Sequence, residues 1–247
     1  SSGYHVKGYR LGQQRQSSVQ NALLRIELKR FFNSTAWVLN TVIGSILILA
    51  LGVAAAILSR RATELLDTLG FRDAASGILI AVLIFCATIA PTTSSAISME
   101  GKEIWISKQL PVAAKLWLTA KLKVNLILVA PSLLITTTVF AVAFRSLLSP
   151  LDTVGMYLLP IAALLCSTVV GLYVNVKMPR LNWKTETEVV KQSGSVLVMM
   201  LICFGMVILS LVPILVLRTG WAAIAVSLAL TVPTVIFYEK LLRRADW

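Results

Sequence analysis

The chain alternates between long apolar runs and short charged interruptions. Six stretches contain no Asp, Glu, Lys or Arg: residues 31–59, 74–99, 124–144, 153–176, 192–217 and 219–238, each 20 to 29 residues long. A helix needs about 20 residues to cross the ~30 Å hydrocarbon layer. Inside lipid the backbone has no water to bond, so a spanning segment is a helix or a strand of a closed barrel. Barrel strands are about 9–11 residues long with alternating polarity, and these runs are longer and do not alternate. The pattern predicts an all-α polytopic membrane protein with six transmembrane helices at about 36–59, 75–97, 123–144, 153–176, 194–217 and 220–238, within a transmembrane domain over 33–247.

Composition supports the same class. Of 247 residues, 57% are apolar and 14% charged, where soluble domains carry about 25% charge. A soluble globular enzyme and a disordered chain are both excluded. The net charge of +12 is a matter of orientation: 18 of the 23 Lys and Arg fall in segments 1–35, 96–123, 177–193 and 239–247. An excess of basic residues marks the cytoplasmic side, which places both termini there, as an even number of spans requires. Attraction to anionic lipid is a secondary effect, and no nucleic-acid partner is expected.

The chemistry-bearing residues are sparse. His5 is the only histidine, and Cys86, Cys166 and Cys203 lie within expected spans without CxxC spacing. A histidine ligand set, a Ser–His pair and a cysteine metal site are therefore not expected, and the cysteines read as packing residues. No ionisable residue falls in the middle of a span, which argues against a proton-coupled carrier or a membrane hydrolase built on paired carboxylates. Pro91, Pro131, Pro160, Pro213 and Pro233 fall inside five of the spans and can kink them. Gly52 and Ala56 offer a close-packing patch.

Three polar regions border the spans. Residues 1–18 read as a polar linker or tail. Residues 19–32 (VQNALLRIELKRFF) have helix-forming composition. They carry two imperfect apolar stripes, Leu24–Leu28–Phe31 and Val19–Ala22–Ile26, and are expected to form an interfacial connecting helix with Arg25, Lys29 and Arg30 among lipid phosphates. The cytoplasmic segment 98–123 is interrupted by Gly101 and Pro111; between them Lys102–Gln109 forms a short piece in which Ile104, Trp105 and Ile106 are ringed by Glu100, Lys102, Glu103 and Lys108. Apolar side chains framed by charge make either a docking surface or, through Trp105, a headgroup anchor. In the next loop, Thr185-x-x-Glu188 fits a capping box for the helix leading into span five, with Trp183 just ahead.

The string Ser98-Met99-Glu100-Gly101-Lys102, then Trp105, Lys108 and Leu110-Pro111, resembles the S-x-E-G-K-x-x-W-x-x-K-x-L-P loop of bacterial type-2 ABC exporter permeases, with Met99 where that family often has a basic residue. Residues 179–193, including Trp183, Glu188 and Lys191, and residues 23–31 resemble the same group. The resemblance implies six spans, an N-terminal interfacial helix and a short cytoplasmic coupling helix seated on a separate ABC ATPase subunit. Glu100, Gly101, Lys102, Glu103, Trp105, Lys108 and Pro111 would lie at that contact, and Trp183, Glu188 and Lys191 would form a possible second one. It further implies a multi-pass protein of the bacterial cytoplasmic membrane, partnered by a second transmembrane half or by a copy of itself. The linker-like start would make the chain the C-terminal half of a longer permease.

ATP and Mg would belong to the partner, with no cofactor in this chain. A phosphate-binding loop needs G-x-x-x-x-G-K-[ST]. Gly3 and Gly8 are followed by Tyr9, while Gly101-Lys102 has Ala96 in place of the first glycine and Glu103 in place of Ser or Thr. The expected function is the permease component of an ATP-driven exporter, without enzymatic activity of its own. An ion-coupled six-helix carrier and a non-transporting membrane scaffold are the alternatives.

Overall fold

A computed structural model describes residues 18–89, 91–109, 111–217 and 220–243. The expected tail at 1–18 lies outside these residues except for Ser18, and so does Leu110 of the loop motif. The described chain is all-helical: α1 (Val19–Asn33), α2 (Thr35–Thr68), α3 (Ala75–Thr88), α4 (Ile104–Gln109), α5 (Ala114–Ala143), α6 (Pro150–Lys177), α7 (Glu186–Gln192), α8 (Gly194–Leu217) and α9 (Gly220–Arg243). Five segments are long and apolar enough to cross a membrane: α2, α5, α6, the nearly continuous α7–α8 and α9. The chain is a multi-pass helical membrane protein.

The expected span at 75–97 takes a different form. Its α-helix stops at Thr88 after 14 residues, which at 1.5 Å each is about 21 Å and too short to cross. The chain continues through 3₁₀ turns at Thr92–Ser94 and Ser98–Glu103. Pro91, with φ −65° and ψ 131°, opens the break, since it has no N–H to extend the ladder. Residues 91–101 are buried throughout, as irregular backbone within a membrane domain must be. The other four in-span prolines stay inside α5, α6, α8 and α9.

The 34-residue α2 continues helically past the expected span end at residue 59 to Thr68. It ends in a turn where Gly70 has φ +72° and Arg72 forks onto Asp67 at 2.8 and 3.0 Å. Ser34 caps α2, accepting from the Trp37 amide at 3.2 Å. The capping box expected at Thr185 and Glu188 does not form: Thr185 makes no side-chain cap bond, its hydroxyl donating to Glu188 Oε1 at 3.4 Å while Glu188 Oε2 accepts from Arg180 Nη2 at 2.7 Å. A capping box does open α6, between Ser149 and Asp152.

α6 is the most enclosed span and packs along α9 and α3, while α2 lies along α5. The α6–α9 approach needs Gly220, where an added Cβ would sit 2.6 Å from the Leu151 carbonyl carbon. Gly52 of the expected patch does lie against Thr136, whereas Ala56 is exposed. An apolar core around Leu83, Ile84, Leu133, Met156 and Leu159 fills one end of the bundle, and a second core around Phe31, Trp37, Ile97, Leu118 and Leu172 fills the other. The second core carries α1, α4 and α7, and the broken segment runs through it.

Candidate functional site

The broken segment frees backbone donors and acceptors that an α-helix would have paired, and in a low-dielectric core each must find another partner. Side chains from three helices supply them. Asn125 of α5 accepts from the Thr92 amide and hydroxyl at 2.8 and 2.9 Å and donates to Thr168 of α6 at 2.7 Å. Asn175 of α6 accepts from the amides of Ile97 and Ser98 at 2.7 and 3.1 Å and donates to the hydroxyls of Ser98 and Ser195. Ser195 of α8 then donates to the Ser94 carbonyl at 2.8 Å. At the end of α3, the Cys203 thiol donates to the Thr88 carbonyl. The result is a fixed non-helical strut rather than a melted one.

The strut leads into a cluster of four charges. Lys121 of α5 is fully enclosed; its Nζ lies 2.8 Å from Glu27 Oε2 of α1 and 2.6 Å from Glu100 Oε1, and it also donates to the Ala96 carbonyl at 3.2 Å. Arg30 of α1 reaches the other side, with Nη1 at 2.7 Å from Glu27 Oε1 and 2.8 Å from Glu100 Oε1. Two acids and two bases cancel, so the group is electrically neutral as a unit. Lys121 also sits 4.9 Å from the centroid of the Trp117 ring, a cation–π contact. Removing one partner from such a buried set leaves an uncompensated charge, so the cluster ties the connecting helix, the strut and α5 into one body.

One residue further on, Gly101 has φ +55° and ψ −137°, a conformation that side chains disfavour. The Trp183 indole covers it: a Cβ at Gly101 would lie 3.2 Å from the ring, and Trp183 Nε1 donates to the Ser98 carbonyl at 2.8 Å. This clasp joins the two expected cytoplasmic loops. Beyond it α4 stands away from the body, with Trp105 56% and Ile106 48% exposed and Lys102, Glu103, Lys108 and Pro111 exposed around them. A six-residue helix has no stability of its own; its place is set by the clasp and the charge cluster behind it.

The expected contact residues therefore divide. Glu100 and Gly101 are buried and hold the turn, while Lys102, Glu103, Trp105, Lys108 and Pro111 present a surface. Trp183 and Glu188 are committed inside the protein, to Ser98 and Arg180, whereas Lys191 is exposed. On α1, Arg25 and Lys29 point outward and Arg30 is drawn into the charge cluster. The buried face of α1 is Leu23, Glu27 and Phe31; of the first expected stripe Phe31 is buried and Leu24 and Leu28 pack half-buried against the second core, while Val19 and Ile26 of the second stripe are exposed.

Sequence reasoning missed Glu27, Lys121, Asn125 and Asn175. A signal existed for the first pair: Glu27 shares an i, i+4 row with Leu23 and Phe31, and Lys121 shares one with Asn125. Comparison with protein-family models, with curated proteins and with solved structures finds no match to this chain.

Proposed function

We propose that this chain is a membrane-spanning permease component of an ATP-driven exporter, with α4 as the helix that receives a separate ABC ATPase subunit. In this reading the short α3 and the buried strut together form a sixth crossing, and both termini face the cytoplasm of a bacterial cell. A second transmembrane half, or a copy of the chain, completes the pathway. ATP binding closes the ATPase pair, α4 is pushed sideways, and the displacement passes through the Trp183 clasp and the Glu27–Arg30–Glu100–Lys121 cluster into α1 and α5. The chain breaks no bond in its cargo.

The observation that carries the reading is the contrast at Gly101. An aromatic and an aliphatic side chain are displayed among charges on a helix too short to stand alone, and the chain immediately behind them is fixed by buried ion pairs. An anchored, exposed apolar knob is what a docking element requires. The loop resemblance points the same way.

The test is co-purification with a candidate ATPase encoded beside this reading frame, comparing wild type with the double variant Trp105→Ala and Lys102→Glu. The expected result is loss of association and of permease-stimulated ATP turnover, with the bundle still folded. Unchanged association and turnover would refute the docking role of α4.

A further inference from the structure

Most polar side chains around the strut are paired; apart from Thr93 Oγ1 and Glu100 Oε2, which are buried without a partner, several uncommitted ones lie together on one side of it. Between α2, the strut and the α7–α8 junction lie two adjoining crevices of about 190 and 320 Å³. Asn40, Val190 and Lys191 line both. The inner one reaches Trp37, Thr92 and Ser95, and the outer one reaches Thr187. Among the described residues, Asn40, Thr187 and Lys191 make no hydrogen bond or ion pair within the protein. Trp37 is 2% exposed and its Nε1–H has no acceptor. The two carboxylates close by in sequence are engaged elsewhere: Glu186 accepts from Ser34 Oγ at 2.6 Å and Glu188 from Arg180 Nη2 at 2.7 Å.

A buried indole N–H without an acceptor, beside a free amide, a free hydroxyl and a free ammonium group, is a set rich in donors. It calls for an acceptor with negative charge. The walls supply the second half of the ligand's chemistry, since Ala36, Leu39 and Val190 are apolar and can lie along a hydrocarbon chain. The crevice is at the start of α2 and of α8, where each enters its apolar run, which is the depth of a lipid headgroup. Basic pockets between transmembrane helices at this level suit anionic headgroups.

From these features we infer that the α2–α7–α8 crevice binds the headgroup phosphate of an anionic membrane lipid, with Lys191 as its counter-charge, Asn40 and Thr187 as donors, and the acyl chain along α2. The inference is separate from the exporter reading. It concerns the chain alone and needs no ATPase.

The experiment is native mass spectrometry of the full chain, purified in a non-ionic detergent. It is titrated with phosphatidylglycerol, with phosphatidylcholine and, separately, with inorganic phosphate. The first phosphatidylglycerol is expected to bind about fivefold more tightly than phosphatidylcholine, the factor that one basic side chain near the membrane surface provides. Lys191→Gln should bring the two lipids level, whereas Lys123→Gln, at an exposed lysine on α5, should keep the preference. A preference that survives Lys191→Gln, or that Lys123→Gln removes equally, would overturn the site. Displacement of the lipid by inorganic phosphate at matched concentration would overturn the assignment to a lipid.

Discussion

Residues 98–101 and 102–109 adjoin in the chain and have opposite physics. The first group is buried: Asn175 accepts from the Ser98 amide, Trp183 donates to the Ser98 carbonyl, and its one carboxylate is shared between Arg30 and Lys121. The second group is largely exposed, with Ile104 packed against the second core and α4 contacting mainly the turn just before it. Both contain charges and apolar residues in similar proportion. What separates them is how deeply the protein encloses them. A rigid mount bearing an unfinished surface can pass on a force applied from outside, and neither part alone can do so.

The sharpest way to break this contrast is to unbalance the mount. Lys121→Met leaves Glu27 and Glu100 facing each other in the core, and a loss of about 3–5 kcal/mol is expected, read from chemical unfolding in mixed micelles. Adding Glu27→Gln and Glu100→Gln to Lys121→Met should recover most of that loss, since both buried carboxylates are then neutral and the charge that remains, on Arg30, is partly open to solvent. Full destabilisation of the triple variant would mean that shape, and not charge pairing, holds α1 to α5.

A smaller loss is expected one step along the strut. Asn175→Ala strips the acceptor from the Ile97 and Ser98 amides, and two unsatisfied buried donors should cost about 2–4 kcal/mol. Amide exchange at residues 94–100 should accelerate before exchange in α6 does. Exchange that rises uniformly along the bundle would show that the strut has no separate role.

At the boundary itself, Gly101→Ala must place a Cβ at positive φ against the Trp183 ring, for about 1–3 kcal/mol. Quenching of Trp183 by a water-soluble quencher, read against a Trp183→Phe control, should increase as the clasp opens. Least disturbing to the fold is Trp105→Ala, a change at an exposed side chain, with unfolding expected to shift by no more than about 0.5 kcal/mol. If Trp105→Ala destabilised the bundle as much as Gly101→Ala, α4 would belong to the mount and the distinction drawn above would disappear.

The expected architecture was legible where one physical rule acts alone. A lipid-facing helix must be long, apolar and internally hydrogen-bonded, so α2, α5, α6, α8 and α9 could be placed from length and charge. The connecting helix at 19–32 emerged within a residue of α1. The segment at 91–101 obeyed a different rule, because its backbone is paired by Asn125, Asn175 and Ser195, which lie from about 30 to about 100 residues away in the chain. No local pattern announces such partners. At Thr185–Glu188 the spacing was right but the pairing differs: the carboxylate is shared between the Arg180 guanidinium and the Thr185 hydroxyl and caps no backbone amide.

The sequence by itself determined that this chain is a multi-pass helical membrane protein, where its five long apolar helices lie, and which short segment between them carries aromatic and charged residues together. Those follow from composition and period, which act over neighbouring residues. Only the tertiary structure decided that Lys121 is enclosed and shared by two carboxylates, that Gly101 lies under Trp183, and that Asn40, Thr187 and Lys191 face a crevice with their polar groups uncommitted. Pairing is a property of distances between segments far apart in the chain, and a string of letters holds no such distances.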